Sequence, residues 1–229
     1  MPRPAEHAPT YRHVAWVYDA LASAYSLGAI GRAKNLHHAR IKPGDRVLYV
    51  GAGRGKEIIA ACQRGAEVTC IEPCPAMALR LHDRLAEHGE RFAIVPRPIQ
   101  AVTPLAEYDL VVSHFFLNVF DEGAMPGVLN HLCQFVKPGG SLIVADFMPN
   151  DGASSRITKC LRAAYYRPVN LAGWLLRICA IHPIYDYAPL LEARGFSIQS
   201  RETYCVLSGL PPLYETIVAQ CKKTTPILR

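Results

Sequence analysis

No stretch of this sequence approaches the roughly 20 consecutive apolar residues of a membrane-spanning helix. Its apolar runs, such as Leu110–Ser113 and Ser141–Ala145, are short. The segment Met1–Pro9 lacks the apolar core of a secretory signal and carries Pro2, Pro4 and Pro9, so it reads as a loose tail on a cytoplasmic chain. No second Cys/His pair accompanies Cys70 and Cys74, so no zinc pattern is complete and no metal is expected. Internal repeats and low-complexity linkers are also missing. From Gly152 to Tyr185 there is no acidic residue at all, although Arg156, Lys159, Arg162, Arg167 and Arg177 fall there.

What is present suits a single soluble domain. The chain has 229 residues, 50% apolar and 19% charged, enough to bury a substantial core. Five of the eight cysteines (Cys62, Cys70, Cys133, Cys205 and Cys221) lie among apolar residues, as reduced core thiols do. The net charge of +6 favours an anionic partner or surface only weakly.

Strand and helix patterns alternate along the chain. Residues 11–40 read as helical, with Tyr11, Trp16, Tyr18 and Tyr25 among small residues. A turn at Pro43–Asp45 leads into a buried strand, Arg46–Val50, and then into Lys56–Arg64, a helix closed by Gly65. Strands are expected at Glu67–Glu72, Arg91–Val95, Tyr108–Ser113 and Ser141–Phe147, the last after a turn at Lys137–Gly140. Helices are expected at Pro75–His88, Gly127–Val136 and Tyr187–Arg194. The final strands, Ser197–Val206 and Tyr214–Lys222, have no helix between them and must form a hairpin. This is a doubly wound α/β sheet with one antiparallel strand.

Gly51-x-Gly53-x-Gly55 sits between the first strand and its helix. Glycines there let the backbone turn sharply and approach a ligand, and the helix start offers free N–H groups. Glu72 ends the second strand, where an acid can accept hydrogen bonds from both hydroxyls of a ribose.

The run Arg40–Gly55, which includes Pro43-Gly44-Asp45-Arg46-Val47-Leu48-Tyr49-Val50-Gly51-Ala52-Gly53-Arg54-Gly55, resembles motif I of class I S-adenosylmethionine-dependent methyltransferases. Tyr108–Val112 resembles the fourth strand of that family, and Val136–Leu142 the turn before its fifth. Val17-Tyr18-Asp19 resembles the quinone- and phospholipid-modifying branches, in which an N-terminal helix closes over the cofactor. The resemblance covers about residues 11–222. It implies a Rossmann-like sheet of seven strands in the order 3-2-1-4-5-7-6, with strand 7 antiparallel. It also implies one domain over residues 1–229, with residues 1–40 as a helical lid. Its cofactor would be S-adenosyl-L-methionine, with the methionine part on Gly51, Gly53 and Gly55 and the ribose on Glu72. Ala52, Pro73, Pro98, Ile99, Ser113 and His114 fall on the same implied cofactor wall.

Two positions depart from the family pattern. Tyr49 stands where an acid usually helps to bind the cofactor ammonium; a phenol can accept a hydrogen bond but carries no charge. Arg97-Pro98-Ile99-Gln100 stands where an Asp often meets the adenine amino group, leaving Gln100 or a backbone carbonyl as acceptor.

The substrate is expected at the carboxyl ends of the strands. Ser113-His114-Phe115-Phe116-Leu117-Asn118 follows strand 4 and is largely apolar and aromatic. It contains no Asn-Pro-Pro-Tyr or Asp-Pro-Pro-Tyr motif, which argues against nucleic-acid bases as acceptors. His114 is the candidate general base, with His182 as a second candidate and core packing as the alternative for either. Tyr18, Tyr25, Phe115, Asn118, Tyr165, Trp174 and His182 are candidate substrate contacts. Residues 148–186 form a long insertion that reads as a basic amphipathic cap over an apolar substrate, resting on an anionic membrane surface, or else as helix packed on the core. The function expected is methyl transfer to a small lipophilic or aromatic molecule of the quinone or lipid head-group class. The alternative is a related protein that binds the same cofactor for other chemistry or for regulation. A homodimer remains open, and nucleic acid is not an expected partner.

Overall fold

The protein is described here from a computed structural model, which covers residues 25–51, 53, 55–86, 92–150, 152, 154–175 and 183–222. Seven strands form one sheet in the order β3-β2-β1-β4-β5-β7-β6. They are β1 (Arg46–Val50), β2 (Glu67–Ile71), β3 (Phe92–Val95), β4 (Tyr108–His114), β5 (Val136–Phe147), β6 (Phe196–Tyr204) and β7 (Tyr214–Cys221). The first five are parallel, and β7 runs antiparallel between β5 and β6. The connection from β6 to β7 contains no helix, so the chain can only turn back.

The helices are α1 (Ala29–Asn35), α2 (Lys56–Gln63), α3 (Pro75–Leu85), α4 (Met125–Cys133), α5 (Arg156–Leu175) and α6 (Tyr187–Glu192). Alternate residues of each central strand serve opposite faces. Val47 and Tyr49 pack with Ile58 of α2 and Leu81 and Leu85 of α3. Leu48 and Val50 belong to the other layer, with Val128, Leu129 and Leu132 of α4 and Leu191 of α6. Both faces are covered, so β1 reads as a continuous apolar run rather than an alternating one. A third cluster joins Ala29 and Ala33 of α1 to Ala145, Phe147, Tyr214 and Tyr166 of α5.

Several boundaries differ from those read in the sequence. The expected helix over residues 11–40 is described only in its last part, where α1 is followed by a 3-10 turn, Leu36–Arg40. The expected turn at Lys137–Gly140 lies within β5, as a bulge in its pairing with β4: Tyr108 pairs with Val136, and Leu110 next pairs with Ser141. Gly140 suits this close passage, because a Cβ there would lie 2.8 Å from the Tyr108 carbonyl oxygen.

Among the described residues, the insertion after β5 contains a 20-residue helix, α5. The Ser155 hydroxyl accepts the Thr158 amide at 3.1 Å and so caps the start of α5. Its buried side chains include a cation. Arg162 donates through Nη1 to the Pro149 carbonyl at 2.7 Å and through Nε to the Pro212 carbonyl at 3.1 Å, pinning the helix to the ends of β5 and β7. Arg162→Met would leave those buried acceptors unpaired. Denaturant unfolding is expected to show a loss on the order of 3 kcal/mol.

Candidate active site

Gly51, Gly53 and Gly55 all have left-handed backbone, with φ of 71°, 52° and 70°. Two of them also face side chains at close range. A Cβ on Gly51 would lie 2.8 Å from Cδ2 of Phe116, and one on Gly55 would collide with the Leu81 side chain. The Gly51 amide donates to the Ile71 carbonyl at 3.1 Å, which ties the start of the loop to β2. Ala52 lies outside the described residues.

The Tyr49 side chain leaves β1 toward the 3-10 turn, where it meets His37. His37 Nδ1 is 2.6 Å from the Lys34 carbonyl, which can only accept, so Nδ1 carries the proton. His37 Nε2 then accepts the Tyr49 hydroxyl, also at 2.6 Å. The Tyr49 oxygen also lies 3.3 Å from the Glu57 carbonyl. Burial, reinforced by neighbouring His38, lowers the His37 pKa to about 3, and burial also holds the Tyr49 phenol well above its usual value. The pair is therefore neutral at physiological pH.

Beside this pair is a small cleft lined by Lys34, Tyr49, Val50, Gly51, Glu57, Val112 and His114. Lys34 Nζ and Glu57 Oε1 are 3.3 Å apart in it. His114 ends β4 with its ring edge-on to His37 at 4.9 Å between centroids. Its pKa lies well below the ordinary value, first through burial and then through His37, Lys34 and His38, so the imidazole is neutral. His114 Nε2 and the Ser113 hydroxyl are buried and have no hydrogen-bond partner among the described residues. Buried polar atoms in a native fold usually have a partner, so these two are the polar groups at the end of β4 left free to meet a ligand among the described residues. The next residue, Phe115, has φ of 52°, a strained backbone for a side chain of that size.

Glu72 follows β2 and is buried. Its Oε1 accepts the Cys74 amide at 3.0 Å, which draws its pKa down, while the larger effect of burial raises it. Across the β2–β3 end, Ile99 is buried in the core, whereas Pro73, Pro98 and Gln100 are exposed. Positive-φ glycines, a buried acid one strand away and polar atoms of β4 without partners among the described residues all lie at the carboxyl edge of the parallel strands.

Comparison with known proteins agrees with this geometry. Residues 47–140 match the methyltransferase domain family. The seven-strand sheet is the fold of S-adenosylmethionine-dependent methyltransferases. A Burkholderia thailandensis 1,6-didemethyltoxoflavin-N1-methyltransferase, solved with S-adenosylhomocysteine, superposes with a TM-score of 0.63 at 18% identity, over 97% of this chain and 94% of that one. The [4+2]-cyclase SpnF superposes equally well, at 0.63 and 15% identity, over 94% of this chain and 97% of that one. In sequence, the ribosomal RNA small subunit methyltransferase A of Mycobacterium bovis is 36% identical over 98 residues, 40% of this chain and 30% of that protein. The match thus spans 30% to 39% of the length of the curated relatives.

Beyond the end of β4, the structure gathers aromatics. The rings of Tyr25 and Tyr165 stack with centroids 4.3 Å apart, and each hydroxyl donates to the other residue's carbonyl, at 2.6 and 3.1 Å. Tyr165 also reaches the Tyr214 hydroxyl at 2.8 Å, and Phe115 meets the edges of Phe147 and Tyr214. Tyr25, Phe115 and Tyr165 are thus in one cluster, and Lys34 Nζ lies 6.0 Å from the Phe115 ring centroid. Trp174 is half exposed near the end of α5. Tyr18 and His182 lie outside the described residues.

Asn118 is engaged elsewhere: its amide donates to Asp146 Oδ1 at 2.9 Å. Asp146 is a buried acid near the end of β5, and it also accepts the Phe147 amide at 2.8 Å and the Tyr187 hydroxyl at 2.7 Å. Asp146, His37, Lys34 and Glu57 carry no motif that marks them in the sequence. The one available signal for Asp146 was a lone acid within the apolar run Leu142–Phe147. Burial raises its pKa from 3.8 to about 7 despite the three donors. The folded state therefore holds this proton more tightly than the unfolded chain. Its contribution to stability is full below about pH 4 and is lost as pH rises toward 7. Asp146→Asn keeps an acceptor for both amides, and its own amide can donate to the Tyr187 oxygen. Melting curves are expected to show a flatter stability profile across that pH window in the variant than in the wild type.

Proposed function

We propose that this chain transfers a methyl group from S-adenosylmethionine to a small lipophilic or aromatic acceptor, of the quinone or lipid head-group class. The observation that carries the reading is the cleft between the glycine loop and the end of β4. It presents a cation, an anion and an unpaired neutral imidazole beside an aromatic cluster.

When bound, the cofactor supplies a methyl group on a sulfonium, open to in-line displacement. The chain's task is then largely positioning. The amino-acid end of such a cofactor is a zwitterion. Lys34 is the group for its carboxylate and Glu57 the group for its ammonium, the latter a role that neutral Tyr49 cannot fill. Glu72 is the acceptor for the ribose hydroxyls. His114 holds an unprotonated nitrogen where a phenolic or enolic acceptor would lose its proton. Phe115, Tyr165, Tyr25 and Tyr214 form the apolar wall. Residues 25–40, as part of an N-terminal lid, bring Lys34 and His37 over the cleft, and residues 148–186 act as a cap.

The aromatic wall favours a small acceptor over RNA, although the curated relatives are named for RNA. A second reading has its own support. Tyr49 removes a charge from the cofactor site, and a neighbour with this fold is named as a cyclase. In that reading the cofactor serves other chemistry or regulation.

Calorimetry with S-adenosylhomocysteine, followed by incubation of the protein with methyl-labelled cofactor and a panel of quinols and phenols, separates the readings. Binding with label transfer supports the first. Tight binding without transfer to any acceptor supports the second, and absence of binding overturns both. Glu57→Gln is expected to weaken S-adenosylhomocysteine binding by about tenfold while leaving 5′-methylthioadenosine, which lacks the amino-acid end, unaffected. Against an accepted phenol, His114→Asn is expected to lower kcat by about a hundredfold with KM little changed.

A further inference from the structure

The outward face of α5 is apolar. Its buried side is formed by Arg162, Tyr166 and Gly173. Half a turn away run Ile157, Leu161, Ala164, Pro168, Leu171 and Leu175, spaced alternately four and three residues apart along one stripe. All six are exposed, and the large ones heavily so: Ile157 by 74%, Leu161 by 43%, Leu171 by 51% and Leu175 by 65%. Isolated exposed leucines need no explanation, but a continuous stripe along 20 residues does. Arg156 and Arg167 stand on one flank of the stripe with half-exposed Trp174. The helix contains no acid.

Two kinds of occupant suit a stripe of this spacing. A second copy of the helix would bring arginine-bearing flanks together without any acidic partner, and Pro168 interrupts the regular packing that such pairing needs. An anionic bilayer surface complements both features, because the apolar stripe enters the acyl boundary while Arg156 and Arg167 meet the head groups and Trp174 sits at the interface. Among the described residues no helix is long and apolar enough to cross a membrane, so this contact lies in the plane of the surface. We propose that the outward face of α5 docks the protein on an anionic lipid surface. The proposal does not depend on which reaction the cleft performs.

The test uses the full chain and phosphatidylcholine vesicles with or without about one-third phosphatidylglycerol. Flotation is expected to show binding to the anionic vesicles, weakened by salt and absent on phosphatidylcholine alone. A combined Ile157→Ser, Leu161→Ser and Leu171→Ser variant is expected to bind at least about tenfold more weakly. Its melting curve is expected to match that of the wild type, since all three side chains are exposed. An environment-sensitive fluorophore on exposed Cys160, next to the stripe, is expected to shift to the blue with anionic vesicles. Three results would each overturn the proposal: no binding to anionic vesicles, binding that the triple variant leaves intact, or a wild-type dimer that the triple variant dissolves while vesicles stay unbound.

Discussion

The buried hydrogen bond between Tyr49 and His37 sets the geometry on which the candidate site depends. It joins the central strand to the 3-10 turn, and its two groups are neutral because burial makes charge costly there. The turn that it holds continues from α1, which is anchored a second time by the Thr216 hydroxyl on the Ala33 carbonyl at 2.8 Å. Between these anchors Lys34 is aimed at Glu57, and His37 sits against His114. An acid in place of Tyr49 would set a charge against the buried imidazole of His37. The substitution and the histidine are best understood as one unit.

The sheet divides labour between its two sides. On one side, α2 and α3 close over Val47 and Tyr49, and α1 and α5 extend that layer across β5 and β7. On the other, α4 and α6 bury Leu48, Val50 and the acid Asp146. The loop glycines and the end of β4 lie where the layers part, at the carboxyl edge of the parallel strands. Ligands of doubly wound sheets bind at that edge because helix starts and free amides collect there.

Much of this was legible in the sequence. The β-branched run Arg46–Val50, followed directly by glycines, announces a strand and a ligand loop, and the missing helix between β6 and β7 announces the hairpin. The strand order came from resemblance to a family, since local pattern says nothing about which strands become neighbours. The polar cleft was not legible, because Lys34 with His37, Glu57, and His114 come from three separate segments and meet only in the fold. The orientation of α5 was hidden for a different reason. Periodicity shows that a helix has two faces but not which one turns inward. Here the inward face carries an arginine, whose carbonyl partners lie at Pro149 and Pro212.

The placement of β7 also bears on the order in which the chain can become a protein. Residues 214–221 follow the other six described strands in the chain, yet they belong between β5 and β6. Until they emerge, β5 presents an open hydrogen-bonding edge and β6 has no neighbour in the sheet. A nascent chain can assemble β1 to β5, but the sheet closes only once residues 214–221 have emerged. Over that interval the β5 edge is available to any other extended strand it meets, which makes β7 the chain's own guard against mispairing during synthesis.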